Sequence, residues 1–237
     1  ATGFDIDGNG RTGDARDAQG YGRFAGDGGL AILSRFPFET TDVIDFSNLL
    51  WRDLPDAVLP QTDGRPFFPP EVLDILRLSS TAHWIVPIRL PDDTLVSIMS
   101  FSATPPVFDG PEDMDGLRGR DELRLWEHVL DGRMGPPPDS FVITGNSNLD
   151  PANGDGDSAA MRNFLARPDI RDPHAGTTNA DWGGDGPGKL RVSYVLPSTD
   201  WQIIDAGTLN PALDTIADGG GEAIAGPHGL VWVDISR

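Results

Sequence analysis

No cysteine occurs among the 237 residues, which removes disulfides, thiolate nucleophiles and cysteine-built metal sites at once. Lysine is almost as scarce: Lys189 stands alone, so arginine carries nearly all the positive charge. Basic residues number 18 against 37 acidic ones, and the net charge is −19. A polyanion of this kind repels nucleic acid and anionic membrane surfaces, so neither is an expected partner. No apolar run reaches the length that spans a bilayer. An initiating Met is also missing, since the chain opens on Ala1-Thr2-Gly3-Phe4. That opening is expected of a processed or trimmed product, and with the acidic surface it favours a secreted or periplasmic protein.

What is present is turn-forming and aromatic. There are 29 Gly and 21 Pro beside a hydrophobic content of 38%, which implies many turns and long loops. Six Trp and eleven Phe argue against disorder. The length is enough for one large domain with a real core, taken here as residues 1–237, with 1–28 forming an Asp/Gly-rich loop.

Periodicity places the elements. Apolar runs at Gly28–Glu39, His83–Leu90, Leu95–Ser102 and Phe141–Gly145 read as strands. So do "LRVSYVLPS", "WQIIDAGTL" and "GLVWVDIS" near the end of the chain. Helical spacing appears at Pro69–Ser79, Gly119–Gly132 and Asp157–Ala166, the last with Asp157 or Ser158 as its cap. Strands interrupted by a few helices, with runs too continuous for a one-sided sheet, predict a mixed α/β fold of two packed sheets with helices outside.

One motif points to a metal. "DIDGNGRTGDARD" sets Asp5, Asp7 and Asn9 at alternating positions, with Gly10 at the sharp turn and Arg11 able to offer its carbonyl. This is how an EF-hand-like calcium loop opens. Its twelfth position holds Arg16 rather than a bidentate Glu, with Asp14 and Asp17 nearby. The expectation is a structural Ca²⁺ held among Asp5, Asp7, Asn9, Arg11, Asp14 and Asp17; the competing reading is a flexible Asp/Gly loop.

Several segments then occur in a telling order: "GGLAILSRFPF", "SATPPVFDGPED", "GNSNLDP", "LRVSYVLPS" and "HGLVWVDIS". Together they resemble the endonuclease/exonuclease/phosphatase superfamily, in particular a bacterial extracellular subgroup. The resemblance implies a four-layered α/β sandwich and divalent-metal-dependent cleavage of phosphate esters. It also implies that the family's first strands are missing from this chain. Residue by residue, a family His falls at Ser102, a metal-binding Asp at Asn146, a retained Asn at Asn148 and a further Asp at Ser193. The Asp of an Asp-His pair falls at Pro227, with its His kept as His228. Neither Asn146 nor Ser193 ionises near neutral pH, and His228 loses the carboxylate that would orient it.

The sequence therefore predicts a pseudoenzyme used for binding or assembly, with Asn146, Asn148, His228, Ser102 and Ser193 as a degenerate site. Missing strands leave sheet edges to be covered by a second copy or another polypeptide. Two alternatives stand beside it. One is an active phosphodiesterase or nuclease that has relocated its Mg²⁺ or Mn²⁺ ligands, and the other is an engineered inactive form of such an enzyme.

Overall fold

The computed structural model describes residues 2–24, 27–184, 186–209 and 226–237. Ala1, Ala25 and Gly26 of the expected N-terminal loop therefore lie outside the described residues. Eleven strands and three α-helices follow one another among them. The main sheet has five strands, β1 (Ile44–Asp45), β4 (His83–Arg89), β5 (Leu95–Ser102), β6 (Phe141–Asn146) and β9 (Ser193–Pro197), hydrogen-bonded in that order. Only β5 and β6 run parallel, with Ser97 opposite Phe141 and Ser102 opposite Asn146. A parallel pair needs a crossover, and α2 (Met114–Leu130) supplies it.

Alternation along these strands feeds two cores. Ile85, Met99, Phe101, Phe141, Ile143, Tyr194 and Leu196 face one way, against Leu123, Trp126 and Val129 of α2 and Met161 and Phe164 of α3 (Ser158–Leu165). Ile88, Val96, Val142 and Trp201 face the other way and meet Ile98, Val195, Phe36, Phe38 and Ile235. Ile235 belongs to β11 (Leu230–Ser236), which pairs antiparallel with β10 (Gln202–Leu209). The mixed α/β class expected from the sequence is thus the class observed. Short ladders complete the fold, β2 (Gln61–Thr62) with β3 (Arg65–Pro66) and β7 (Ala180–Asp181) with β8 (Lys189–Leu190).

Three sequence expectations need correcting. Residues 28–39 form no strand beyond one isolated bridge, Phe38 to Ile88. Leu33 is 93% exposed, because no neighbouring strand offers that run a partner. The helix expected over 69–79 is a single turn, α1 (Pro70–Leu73). Conversely, α2 begins at Met114, five residues before the expected start, and accommodates Gly116 and Gly119 in its interior. Gly119 approaches the Thr104 carbonyl so closely that an added Cβ would sit 2.5 Å from it, so contact with the sheet overrides helix propensity there.

The N-terminal stretch is less a loose loop than its composition suggests. Ile6 is buried. Residues Ala15–Asp17 form a 3-10 turn closed by a reciprocal capping box between Asp14 and Asp17.

Candidate functional site

The C-terminal end of β6 brings the expected site residues together. Ser102 ends β5 beside Asn146, and Asn146 pairs across to Ser193 at the start of β9. Three side-chain positions therefore stand in a row on adjacent strands. Gly145 makes this possible, because a Cβ there would lie 2.0 Å from the Phe101 carbonyl. His228 completes the group, with Nδ1 at 3.4 Å from Ser193 Oγ. The Trp182 ring packs edge-on to His228 with centroids 5.2 Å apart.

The polar groups of this row bond mainly to one another and to backbone. Asn146 Nδ2 donates to Asn148 Oδ1 at 2.9 Å, and Asn148 Nδ2 donates to the Ala103 carbonyl at 2.7 Å. Asn148 holds φ at 55°, a left-handed conformation that Asn tolerates better than most residues. Buried Asn179 fixes the β9 end, accepting from Val192 N and Ser193 N and donating to Ser193 O at 2.6 Å. Burial pushes the His228 pKa down, and among the described residues no carboxylate is hydrogen-bonded to its ring.

A hard dication needs anionic oxygen ligands. Ser102, Asn146, Asn148 and Ser193 offer amides and hydroxyls, and the Asn146 amide oxygen faces Asn148 N at 3.3 Å. This donor set does not fit Mg²⁺ or Mn²⁺. Asp150 does not repair it: its carboxylate accepts from Ala152 N, Asn153 N and Arg191 N, the turn-capping role its place before Pro151 suggests. Asp181 caps Gly183 N in an exposed turn.

Among the described residues, one group of carboxylates converges well enough to hold a cation: Asp5, Asp7 and Asp17, with ligand oxygens within 4.8 Å of one another. Three of the six residues singled out in the sequence lie together here. Asn9 instead donates its amide to Asp7 and Asp14, and its oxygen accepts from Arg11 N. Asp14 turns to cap Arg16 N. Asp14 therefore stands outside the converging group. Arg16 sits against it, with Nε 3.1 Å from Asp7 Oδ2, and supplies positive charge at the position where an EF-hand has its Glu.

A cleft of about 570 Å³ opens beside Ser102 and Asn148 and extends to the N-terminal loop. Its walls include Ile6, Tyr21, Phe108, Met114 and Asp115, none of which the sequence analysis singled out. The available signal was "TPPVFDGPED", distinctive as a motif but read there only as a family marker. Beneath the cleft, Glu122 is fully buried and accepts from Ser80 N, Ser80 Oγ and Thr104 N. Burial pushes its carboxyl up, and the Arg118 guanidinium opposes that shift.

No curated protein matches the sequence. Solved structures do. An endonuclease/exonuclease/phosphatase from Beutenbergia cavernae superposes with a TM-score of 0.53 at 15% identity, over 85% of this chain and 46% of that one. A family protein from Leptotrichia buccalis gives 0.45 at 15% identity over 67% and 54%, and the human Nocturnin catalytic domain 0.46 at 12% over 85% and 60%. The chain thus spans roughly half the length of the first of these structures and less than two thirds of the others. Residues 3–219 match the profile of the Endonuclease/Exonuclease/phosphatase family, and the chain belongs to that family.

Proposed function

We propose that this chain is a catalytically silent member of its family, serving in binding or assembly. Family members are mostly metal-dependent phosphoric ester hydrolases. The observation that carries the proposal is the row Ser102–Asn146–Ser193, assembled at adjacent strand ends without a single carboxylate. Without an anionic ligand no hard dication is seated there, and water nearby stays unactivated. Among the described residues His228 has no carboxylate partner to stabilise an imidazolium, which makes it a poor general acid or base. The test is hydrolysis of an aryl phosphodiester with Mg²⁺ or Mn²⁺. The wild-type chain and the Asn148→Ala/His228→Ala variant are expected to be equally inert. Turnover that is metal-dependent and lost in the variant supports a relocated active site instead.

Two finer parts of the reading have their own support. The convergence of Asp5, Asp7 and Asp17 favours a structural Ca²⁺ that ties the N-terminal loop to the core through Ile6. The assembly role is supported by β10–β11, where Ile204, Leu209, Leu230 and Trp232 are exposed. A ribbon two-stranded among the described residues, with apolar side chains outward, is a surface that another strand-bearing chain, or a second copy, can cover.

A further inference from the structure

We propose that Asn153-Gly154, in the loop between β6 and α3, is a self-modifying site that converts to aspartate and isoaspartate. Water is the only co-reactant, and no enzyme is required. The inference goes beyond the binding role above and uses none of the silent-site side chains.

The chain holds two Asn-Gly pairs, Asn9-Gly10 and Asn153-Gly154. Such pairs are reactive because glycine lacks the Cβ that would shield its amide nitrogen and restrict its backbone. That nitrogen reaches the carboxamide carbon of the preceding asparagine. The bond from glycine N to Cγ forms as the Cγ–Nδ2 bond breaks. The glycine amide proton passes to solvent base, and the side-chain nitrogen leaves as ammonia. Water then opens the resulting five-membered succinimide at either carbonyl. Opening at one gives aspartate in a normal main chain. Opening at the other routes the main chain through the side-chain carbons, as isoaspartate. Nothing is oxidised or reduced.

Attack needs a side-chain amide that can turn and a glycine N–H that is not committed elsewhere. Exposure does not separate the two pairs, since Asn9, Gly10, Asn153 and Gly154 are all exposed. Hydrogen bonding does. Asn9 Oδ1 accepts from Arg11 N at 2.8 Å, and its Nδ2 donates to Asp7 at 3.0 Å and Asp14 at 3.1 Å. Gly10 N donates to Asp5 Oδ2 at 2.8 Å, and the charge of that carboxylate disfavours loss of the proton. Both reacting groups of the first pair are therefore held.

At the second pair they are not. Among the described residues, neither the Asn153 side chain nor the Gly154 N–H has a hydrogen-bond partner. Only the Asn153 backbone N–H is engaged, donating to Asp150 Oδ1 at 2.8 Å. Gly154 holds φ at 81°, and a Cβ there would lie 3.3 Å from Leu190 Cδ1. The main chain is thus braced on both sides while the reacting groups stay loose. Both pairs belong to one chain of net charge −19, which repels hydroxide from each, so hydrogen bonding is what sets them apart. Isoaspartate at 153 inserts an extra main-chain carbon between the Asp150 cap and Gly154. That lengthens the loop running from Asn148 to Asp157, the cap of α3.

The experiment ages the folded full chain in mildly alkaline buffer, digests it in acid and maps both pairs by mass spectrometry. Isoaspartate is counted by enzymatic methyl labelling. Asn153 is expected to convert about tenfold or more faster than Asn9, the factor that the bonds holding Asn9-Gly10 impose. In denaturant the two rates are expected to agree within about twofold, because those bonds are gone. Asp5→Ala/Asp7→Ala, shown to be folded by circular dichroism, raises the Asn9 rate and leaves that of Asn153 unchanged. Asn9 converting as fast as Asn153 in the folded wild type overturns the proposal. So does an Asn153 that stays intact in the folded chain while the denatured chain converts. Aspartate at 153 without isoaspartate overturns it too, since direct hydrolysis of the side chain then replaces attack by Gly154.

Discussion

The side-chain amide of Asn146 points at Asn148 rather than into open space, donating to its Oδ1 across 2.9 Å. The pair closes the turn after β6 and ties it to Ala103, the residue after β5. Two positions that the family resemblance marks as ligands, Asn146 and Asn148, hydrogen-bond here to each other and to backbone. Because Asn148 also sits at φ 55°, replacing it tests two contributions. Asn148→Ala removes its bonds and strains the backbone, and is expected to cost roughly 1–2 kcal/mol. Asn148→Gly keeps the conformation accessible and costs less. Denaturant unfolding ranks the two, and a reversed order contradicts the turn-closing role.

Putting charge back tests the same assignment from the other side. The triple variant Asn146→Asp, Ser193→Asp, Pro227→Asp is expected to bind Mn²⁺ where the wild-type site does not, read by electron paramagnetic resonance. The N-terminal loop must be silenced in both by Asp5→Asn and Asp7→Asn. Equal Mn²⁺ binding with and without the new carboxylates shows that charge was not what the site lacked.

That N-terminal loop carries its own prediction. Asp17 accepts from Ile6 N at 2.8 Å and Gly13 N at 2.7 Å, so it holds the loop even without an ion. Ca²⁺ should therefore raise the melting temperature by a few degrees without being required for folding, as expected for a ligand that binds only the native state. Asp5→Asn/Asp7→Asn is expected to abolish the rise. A Ca²⁺ effect that persists in this variant places the ion elsewhere.

Much of this molecule is legible in its sequence, for physical reasons that vary by segment. Strands β4, β5, β6 and β9 are apolar on both faces because each feeds two cores, and such runs announce themselves. The run at 28–39 has the same look, but the sequence of one segment says nothing about whether a neighbour will pair with it. Helix α2 hid its first turn because Gly116 and Gly119 lower helix propensity, and the sheet contact that overrides this comes from Thr104. Motif order singles out Asn146, Ser102 and Ser193, and adjacent strand ends set them side by side.

The β10–β11 ribbon yields a prediction about assembly. Trp232 lies over Gly207, where a Cβ would meet its ring at 2.9 Å, so the indole is laid flat along the ribbon and presents a broad apolar face. If a second copy covers this surface, light scattering is expected to give more than one chain per particle at micromolar concentration. Leu230→Asp/Trp232→Ser, with two apolar anchors removed, should then yield monomers of unchanged far-ultraviolet spectrum. A wild-type monomer leaves another polypeptide as the occupant, and a variant that still associates moves the contact off this ribbon.

His83 offers a pH signature of the core. It is fully buried, packed against Phe101 and Trp126, and its Nε2 meets the Glu122 carbonyl at 3.1 Å. A carbonyl only accepts, so Nε2 carries the proton and Nδ1 accepts from Ser79 Oγ at 2.7 Å. The pair resembles a serine–histidine dyad but is sealed from solvent, with Ser79 buried too. Burial lowers the His83 pKa to about 3, only partly opposed by its bond to Glu122. The native ring therefore stays neutral where the unfolded chain, with a pKa near 6.5, takes up a proton. Stability from this group is complete above about pH 6.5 and is lost as pH falls toward 3, at up to about 1.4 kcal/mol per pH unit. His83→Gln removes that titration at a cost in packing and hydrogen bonding. Its deficit against wild type, measured by denaturant unfolding, is expected to be largest at pH 7 and to shrink on acidification to pH 4. A deficit constant across that range means that His83 is not held neutral in the folded chain.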